Sequence, residues 1–517
     1  MLYLAFIYHM HQPYYTNLLT KESPSPWVRL HATKDYSDMV LILEKFPKIH
    51  LTFNLVPSLV EQIEDYIHNS IRDAFEIISQ KRTSELTEQD KHFIRRNFFK
   101  IDPQRVISRF PRFYQLYHKA LSNAAFTEHD YLDLVVCFNL AWIDPYFRQS
   151  MPELRRIVSK GRFFNEEDKQ IVLEKQREII RQTLPTYKKF IARGQIEVST
   201  TPFYHPILPL LYNTKIALEA NPKTHIPADV VFNYPQDARA QIFNAVDFME
   251  QHLNRKPQGM WPSEEAVSEH ILPFIIQSGI KWIVTDEAVL FKSTGKKRSG
   301  KTLYQPYRLE REDGVLNMVF RDRNLSDLIG FIYHRWKTED AVNNFMHHLQ
   351  NIHHLFKDDD CLLTIALDGE NAWEYYPNDG CDFLNLLYQK ISDADFIKTV
   401  TVSEYLETHP AQQTIKKLKA GSWINGDFQK WIGNQYKNKA WEYLAQARKL
   451  LTNPQAPIPN PELAWKQMYI LEGSDWFWWY GDKLPEFDAL FRMHLSNFYR
   501  IIGKEPPEYL NSPLEPA

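Results

Sequence analysis

Leu2-Tyr-Leu-Ala-Phe-Ile-Tyr8 is an unbroken apolar run that passes directly into the polar string His9-Met-His-Gln-Pro13. A short apolar run closed by a turn residue reads as a buried strand. Six further runs of this kind recur, at residues 50–56, 195–201, 259–263, 281–285, 316–321 and 361–367. Long helical stretches lie between them, and strands alternating with helices predict parallel pairing in an α/β architecture. Seven such strands in about 370 residues favour a closed or nearly closed barrel over an open doubly wound sheet. The chain also lacks the Gly-x-Gly-x-x-Gly string that would favour the open sheet.

Outward from these strands, residues 58–194 are almost purely helical in pattern and form an insertion between the second and third strands. Within it, Asn165 stands as cap to a helix whose apolar positions Ile171, Val172, Ile179, Ile180 and Leu184 follow 3.6-residue spacing, with Gly194 as its stop. Beyond residue 400 the strand pattern ends. Helical stretches at 440–451 and 487–502 flank a Pro-rich spacer at 453–461. The expected division is a catalytic barrel over 1–400, including the insertion at about 58–194, and a helical domain over 401–517. The basic loop 292–301 reads as solvated surface, and the pairs His347-His348 and His353-His354 as a surface helix, since their spacings are not the i, i+4 of a zinc helix.

Of 517 residues, 44% are apolar and 24% charged, which excludes a disordered or fibrous chain. Lys and Arg number 61 against 64 Asp and Glu, a net charge of −3, so nothing favours a nucleic-acid or acidic-membrane partner. Sixteen glycines disfavour Gly-rich phosphate loops, while an aromatic content of 14% suits either a carbohydrate site or a large core. Three cysteines (Cys137, Cys361, Cys381) exclude a disulfide framework and fit a reducing compartment. The longest apolar run, 131–143, contains Asp133 and is too short to span a membrane. The first strand has no basic segment before it and no small-residue cleavage site after it, so it belongs to the mature protein and a cytoplasmic location is expected.

In a parallel barrel all strand C-termini open on one face. Polar residues fall just there: His9 and His11 after the first strand, His205 after the third, Glu264 after the fourth. Asp286 follows the fifth, Arg321 and Asp322 the sixth, Asp368 and Glu370 the seventh. One carboxylate from each of two strands, with Trp261 and Trp373 beside them, is what glycoside cleavage requires. The rival reading is a zinc hydrolase using His9-x-His11. No strand end offers a His-x-Asp pair, so a metal-free, cofactor-free site is expected.

These strings resemble the signatures of family 57 glycoside hydrolases. His9-Met-His-Gln-Pro13 is similar to the first, 194–209 (with Glu197 and His205) to the second, Gly259-Met-Trp-Pro-Ser-Glu264 to the third, and Leu367-Asp-Gly-Glu-Asn-Ala-Trp373 to the fourth. Gly421-Ser-Trp-Ile424 and Gly473-Ser-Asp-Trp-Phe-Trp-Trp-Tyr480 resemble the aromatic tail of the amylopullulanase-like branch. The resemblance implies an incomplete (β/α)7 TIM-like barrel followed by an all-helical domain that lends aromatics to the cleft. It implies a retaining hydrolase on α-glucans, with Glu264 as nucleophile and Asp368 as general acid/base. His9, His11, His205, Trp261, Asp286, Arg321, Trp373, Trp423 and Trp476 are then substrate-binding candidates, with Glu264 expected to be hydrogen-bonded by His11 or His205. A 4-α-glucanotransferase or branching enzyme with the same pair is the alternative, and branching ranks lower because that subgroup carries a different fourth signature. A deacetylase- or mannosidase-like metal hydrolase is more distant still. Glu265 stands where relatives often carry a small residue.

Overall fold

Strand β1 (Leu2–Met10) is buried almost throughout and sits between two parallel neighbours, as its continuous apolar run requires. It belongs to a ring with β2 (Leu51–Leu55), β3 (Ile196–Thr200), β4 (Gly259–Met260), β5 (Trp282–Asp286), β6 (Gly314–Arg321) and β7 (Cys361–Asp368). The order is β7-β1-β2-β3-β4-β5-β6, all parallel, and a Thr364–Arg321 pairing of β7 with β6 closes it. The fold is thus a seven-stranded parallel barrel. The computed structural model describes residues 1–228, 230–357, 359–370, 372–452 and 457–516; part of the Pro-rich spacer, 453–456, lies outside them.

Side chains alternate between the inside and outside of the ring. Ala5, Ile7, Val284, Val319 and Ala366 fill the barrel, with Trp261 and Trp282. Leu4, Phe6 and Tyr8 point out to the helices. Register fixes the top: Asp286 pairs with Arg321, and His9 pairs with Asp368, hundreds of residues away in sequence.

Several elements differ from the sequence reading, among them short strands at Ile397–Thr399, parallel to β1, and at Gln413–Thr414, beyond residue 400 where the strand pattern was expected to have ended. Strand β4 is two residues long and does not reach 263. Pro262 has no N–H for a ladder, and Glu264 and Glu265 both take left-handed backbone (φ 58° and 52°). Gly259 opens this strand because a Cβ there would lie 2.0 Å from the Trp282 ring. A strand at Tyr307–Arg311, antiparallel to β6, was not anticipated, although its buried–exposed alternation is the period of a half-buried strand.

The insertion packs around a core that includes Phe98, Phe138 and Trp142 and takes in Leu30 from a helix between β1 and β2. Its longest helix, Glu166–Ala192, starts at a reciprocal capping box between Asn165 and Asp168, as the pattern indicated. After the barrel come helices Gln435–Thr452, Pro461–Leu471 and Pro485–Ile501. They share one hydrophobic cluster with the barrel helices and are pinned by a buried Arg448–Asp237 pair. Bridges from Val267 to Gly421 and from Pro206 to Gly473 bring two loops of this segment over the barrel mouth. Among the described residues no helix is long and apolar enough to cross a membrane.

Candidate active site

The loops above β1, β3, β4 and β7 converge on one cavity of about 640 Å³. Glu264 and Asp368 line it together with His9, His11, His205 and Trp423. That size and its aromatic walls suit a small-molecule or oligosaccharide site.

Glu264 is held by the post-barrel segment. The Trp423 indole Nε1–H donates to Oε2 at 2.7 Å, and the Trp423 backbone N–H donates to the Glu264 carbonyl at 3.2 Å. The expected histidine bonds are absent: His205 Nδ1 stands 4.0 Å from Glu264 Oε1. Other partners take both rings. His205 Nδ1 pairs with the Ser474 hydroxyl at 2.8 Å, and His11 Nε2 donates to Asp475 at 2.9 Å. His9 Nδ1 donates to Asn54 Oδ1 at 2.6 Å.

The carboxyls also differ from the simple split expected of them. Burial pushes Glu264 up to about 8, against the Trp423 bond, with the nearby Asp368 charge adding to the rise. Burial pushes Asp368 up to about 6, while His11 and Arg321 hold it down. Lining one cavity, with the Asp368 charge acting on Glu264, they behave as a coupled pair that shares one proton between those values. Burial likewise pushes Glu370 well above the usual carboxylate range, although Gln12 Nε2–H donates to its Oε1 at 2.8 Å.

His11, His205 and Asp475 each offer a ligand atom within 4.8 Å of the others. The two rings nonetheless lie stacked, centroids 3.9 Å apart and planes 18° from parallel. Lone pairs in parallel planes run side by side and do not meet at one ion about 2.1 Å from each nitrogen. Burial keeps His9 low, at about 3, and His205 well below the usual imidazole value, with neighbouring imidazoles adding to both. Neutral rings of this kind exchange hydrogen bonds with hydroxyl groups.

Several sequence candidates lie behind the wall instead of on it. Trp261 is fully buried, stacking on His9 (4.8 Å, 16°) and meeting Trp423 edge-on. Trp373 is buried with its Nε1–H on the Gly369 carbonyl, and Trp476 with its Nε1–H on the Ile470 carbonyl; neither lines the cavity. Asp286 and Arg321 are buried too: Asp286 is paired with Arg323, and the Arg321 guanidinium lies 5.3 Å from the Trp423 ring. Trp478 and Trp479, from the tail cluster, do reach the cavity. The sequence reading missed Ser474 and Asp475, which hold the two histidines, Trp142, which the insertion supplies, and His31, from the helix between β1 and β2 that also carries Leu30.

A barrel of seven parallel strands with two acids at its mouth defines a glycosidase-like site. The family model for glycosyl hydrolase family 57 matches residues 5–417, and the chain belongs to that family. A 128-residue segment is 29% identical to Alpha-amylase 1 of Dictyoglomus thermophilum, covering 25% of this chain and 15% of that protein, so the match spans a small part of that relative's length. The fold is similar to a branching enzyme from Thermococcus kodakaraensis (TM-score 0.62, 16% identity, 96% of this chain and 90% of that one). It is similar also to the alpha-amylase AmyC from Thermotoga maritima (TM-score 0.61, 13% identity, 96% and 92%). At these identities the likeness is one of fold.

Proposed function

We propose that this chain is a retaining glycoside hydrolase of α-glucans, with Glu264 as nucleophile and Asp368 as general acid/base. The observation that carries this reading is the convergence of two buried carboxyls, from β4 and β7, on one aromatic-walled cavity. In the first step Glu264 attacks the anomeric carbon while Asp368 gives its proton to the departing glycosidic oxygen. That step needs the shared proton on Asp368, and a glycosidic oxygen set against Asp368 as acceptor favours this placement on binding. In the second step Asp368 takes a proton from water, which opens the covalent glycosyl-enzyme. A sugar hydroxyl in place of that water makes the same site a glucanotransferase, in keeping with a family that includes transferring and branching enzymes. The neutral histidines and Trp478 and Trp479 serve sugar hydroxyls and ring faces. Three free thiols, two of them buried, support a reducing, cytoplasmic setting.

The test is Glu264→Gln, nearly isosteric and unable to attack. Circular dichroism should be unchanged and turnover of maltoheptaose lost, while proton NMR of the first wild-type product should show the α anomer. Activity above a few per cent removes Glu264 as nucleophile, and a β anomer replaces retention by inversion.

A further inference from the structure

One wall of the cavity continues onto the protein surface. Tyr375 lines the cavity and is 50% exposed, and its ring meets that of His334 at 5.7 Å. His334 Nε2–H donates to the Phe331 carbonyl at 3.0 Å, which leaves Nδ1 as the ring's acceptor. Phe331 is 62% exposed and Trp336 41%, the latter braced edge-on by the buried Tyr333 at 5.3 Å. The chain here, Leu328–Ile332, forms one turn of π-helix, a rare conformation found frequently at functional sites. Its wide turn leaves Phe331 and Ile332 facing outward while Ile329 stays in the core.

The strip is fixed from the far side. Arg105 of the insertion donates to the His334 carbonyl at 3.0 Å, and Arg109 donates to the Tyr376 carbonyl at 3.3 Å and to Asp379 at 3.2 Å. Exposed aromatic faces held in place and continuous with a cavity mark a binding surface. Flat apolar rings beside a neutral hydrogen-bonding imidazole match the apolar face and hydroxyl edge of a pyranose. A polymer reacting in a cavity of about 640 Å³ must leave over its rim, and this strip begins at the rim.

We propose that Phe331, His334 and Trp336 form an outer binding strip for α-glucan chains too long for the catalytic cavity, a proposal that rests on the α-glucan reading above. The test uses Glu264→Gln protein with and without Phe331→Ala/Trp336→Ala, run through native gels containing amylose. The strip variant should bind amylose about tenfold more weakly, the loss of roughly one aromatic contact. In the active background its kcat/KM on maltotriose should stay within about twofold of wild type. Phe331→Ala alone, which removes only an outward-facing ring, guards against a folding effect of the Trp336 change and should give part of the loss. Unchanged retardation of the strip variant overturns the proposal while leaving the α-glucan reading intact. So does a dimer, seen by sedimentation, that the variant loses without any change in amylose binding. No retardation of the parent by amylose overturns both.

Discussion

Replacing Trp423 by Phe isolates the side-chain hydrogen bond that the post-barrel segment gives to the Glu264 carboxylate. Phe keeps a ring edge-on to Trp261 and beneath Arg321, so packing changes little; the 2.7 Å bond from Nε1–H to Oε2 is lost. A hydrogen bond to a charged acceptor contributes about 1.5–3 kcal/mol, and Glu264 is buried enough to feel most of it. At about 1.4 kcal/mol per decade, kcat should fall about 10- to 100-fold. The bond stabilises the ionised carboxylate, so its loss raises the affinity of Glu264 for a proton. The alkaline limb of the pH profile, set by Glu264, then moves to higher pH, by about one pH unit or more, while the acid limb set by Asp368 stays in place. More of the shared proton also rests on Glu264, where it blocks attack. The assay is kcat and kcat/KM on maltoheptaose across pH 4–10, with Tm as the folding control. A purely structural role would lower Tm and leave the limbs where they were. A kcat within threefold of wild type with an unshifted alkaline limb refutes the assignment.

Wild-type activity should follow a bell in pH with limbs near 6 and 8, because only the singly protonated pair is productive: below the lower value both carboxyls are neutral, above the upper both are charged. A profile still rising at pH 10 would break the pairing of the two groups. Gly259→Ala should destabilise the fold by about 3 kcal/mol or prevent soluble expression, since its Cβ would enter the Trp282 ring, and a thermal melt unchanged within a degree or two contradicts the close packing of β4 on β5. Exhaustive chelation should leave turnover intact, because the stacked His11 and His205 rings do not aim at a common ion; stoichiometric zinc by elemental analysis, whose removal stops catalysis, would show otherwise.

The barrel was legible because its signal is local. Leu2–Met10 is apolar on both faces, and that alone implies a strand with partners on either side and helices outside. The fourth strand was over-read for an equally local reason: Gly-Met-Trp-Pro-Ser looks extended, and nothing in two consecutive glutamates announces left-handed backbone. Such backbone is costly for a residue with a Cβ and persists only where the surroundings over-determine it. Here the Trp423 N–H on the Glu264 carbonyl and the Thr285 hydroxyl on the Glu265 carbonyl supply that constraint, and both arrive from other elements.

The same distinction separates the site residues that were found from those that were missed. Glu264 and Asp368 end strands, and the topology of a parallel barrel carries strand ends to one mouth whatever the loops do. Asp475 and Ser474 have no such carrier. They reach His11 and His205 across 464 and 269 residues of chain, placed by helix packing that no period in the sequence encodes. The tryptophans show why residue type alone was insufficient. Trp373 and Trp423 both flank one of the two proposed catalytic carboxyls, in sequence or in space. Gly380 lets the first sink into the core, where a Cβ at that position would meet its ring at 2.6 Å, while the second rides a loop laid across the barrel mouth. An indole N–H finds a partner wherever it is buried. For Trp373 that partner is a backbone carbonyl and for Trp423 it is Glu264, the proposed nucleophile, so the post-barrel segment holds that carboxylate instead of merely widening the cleft.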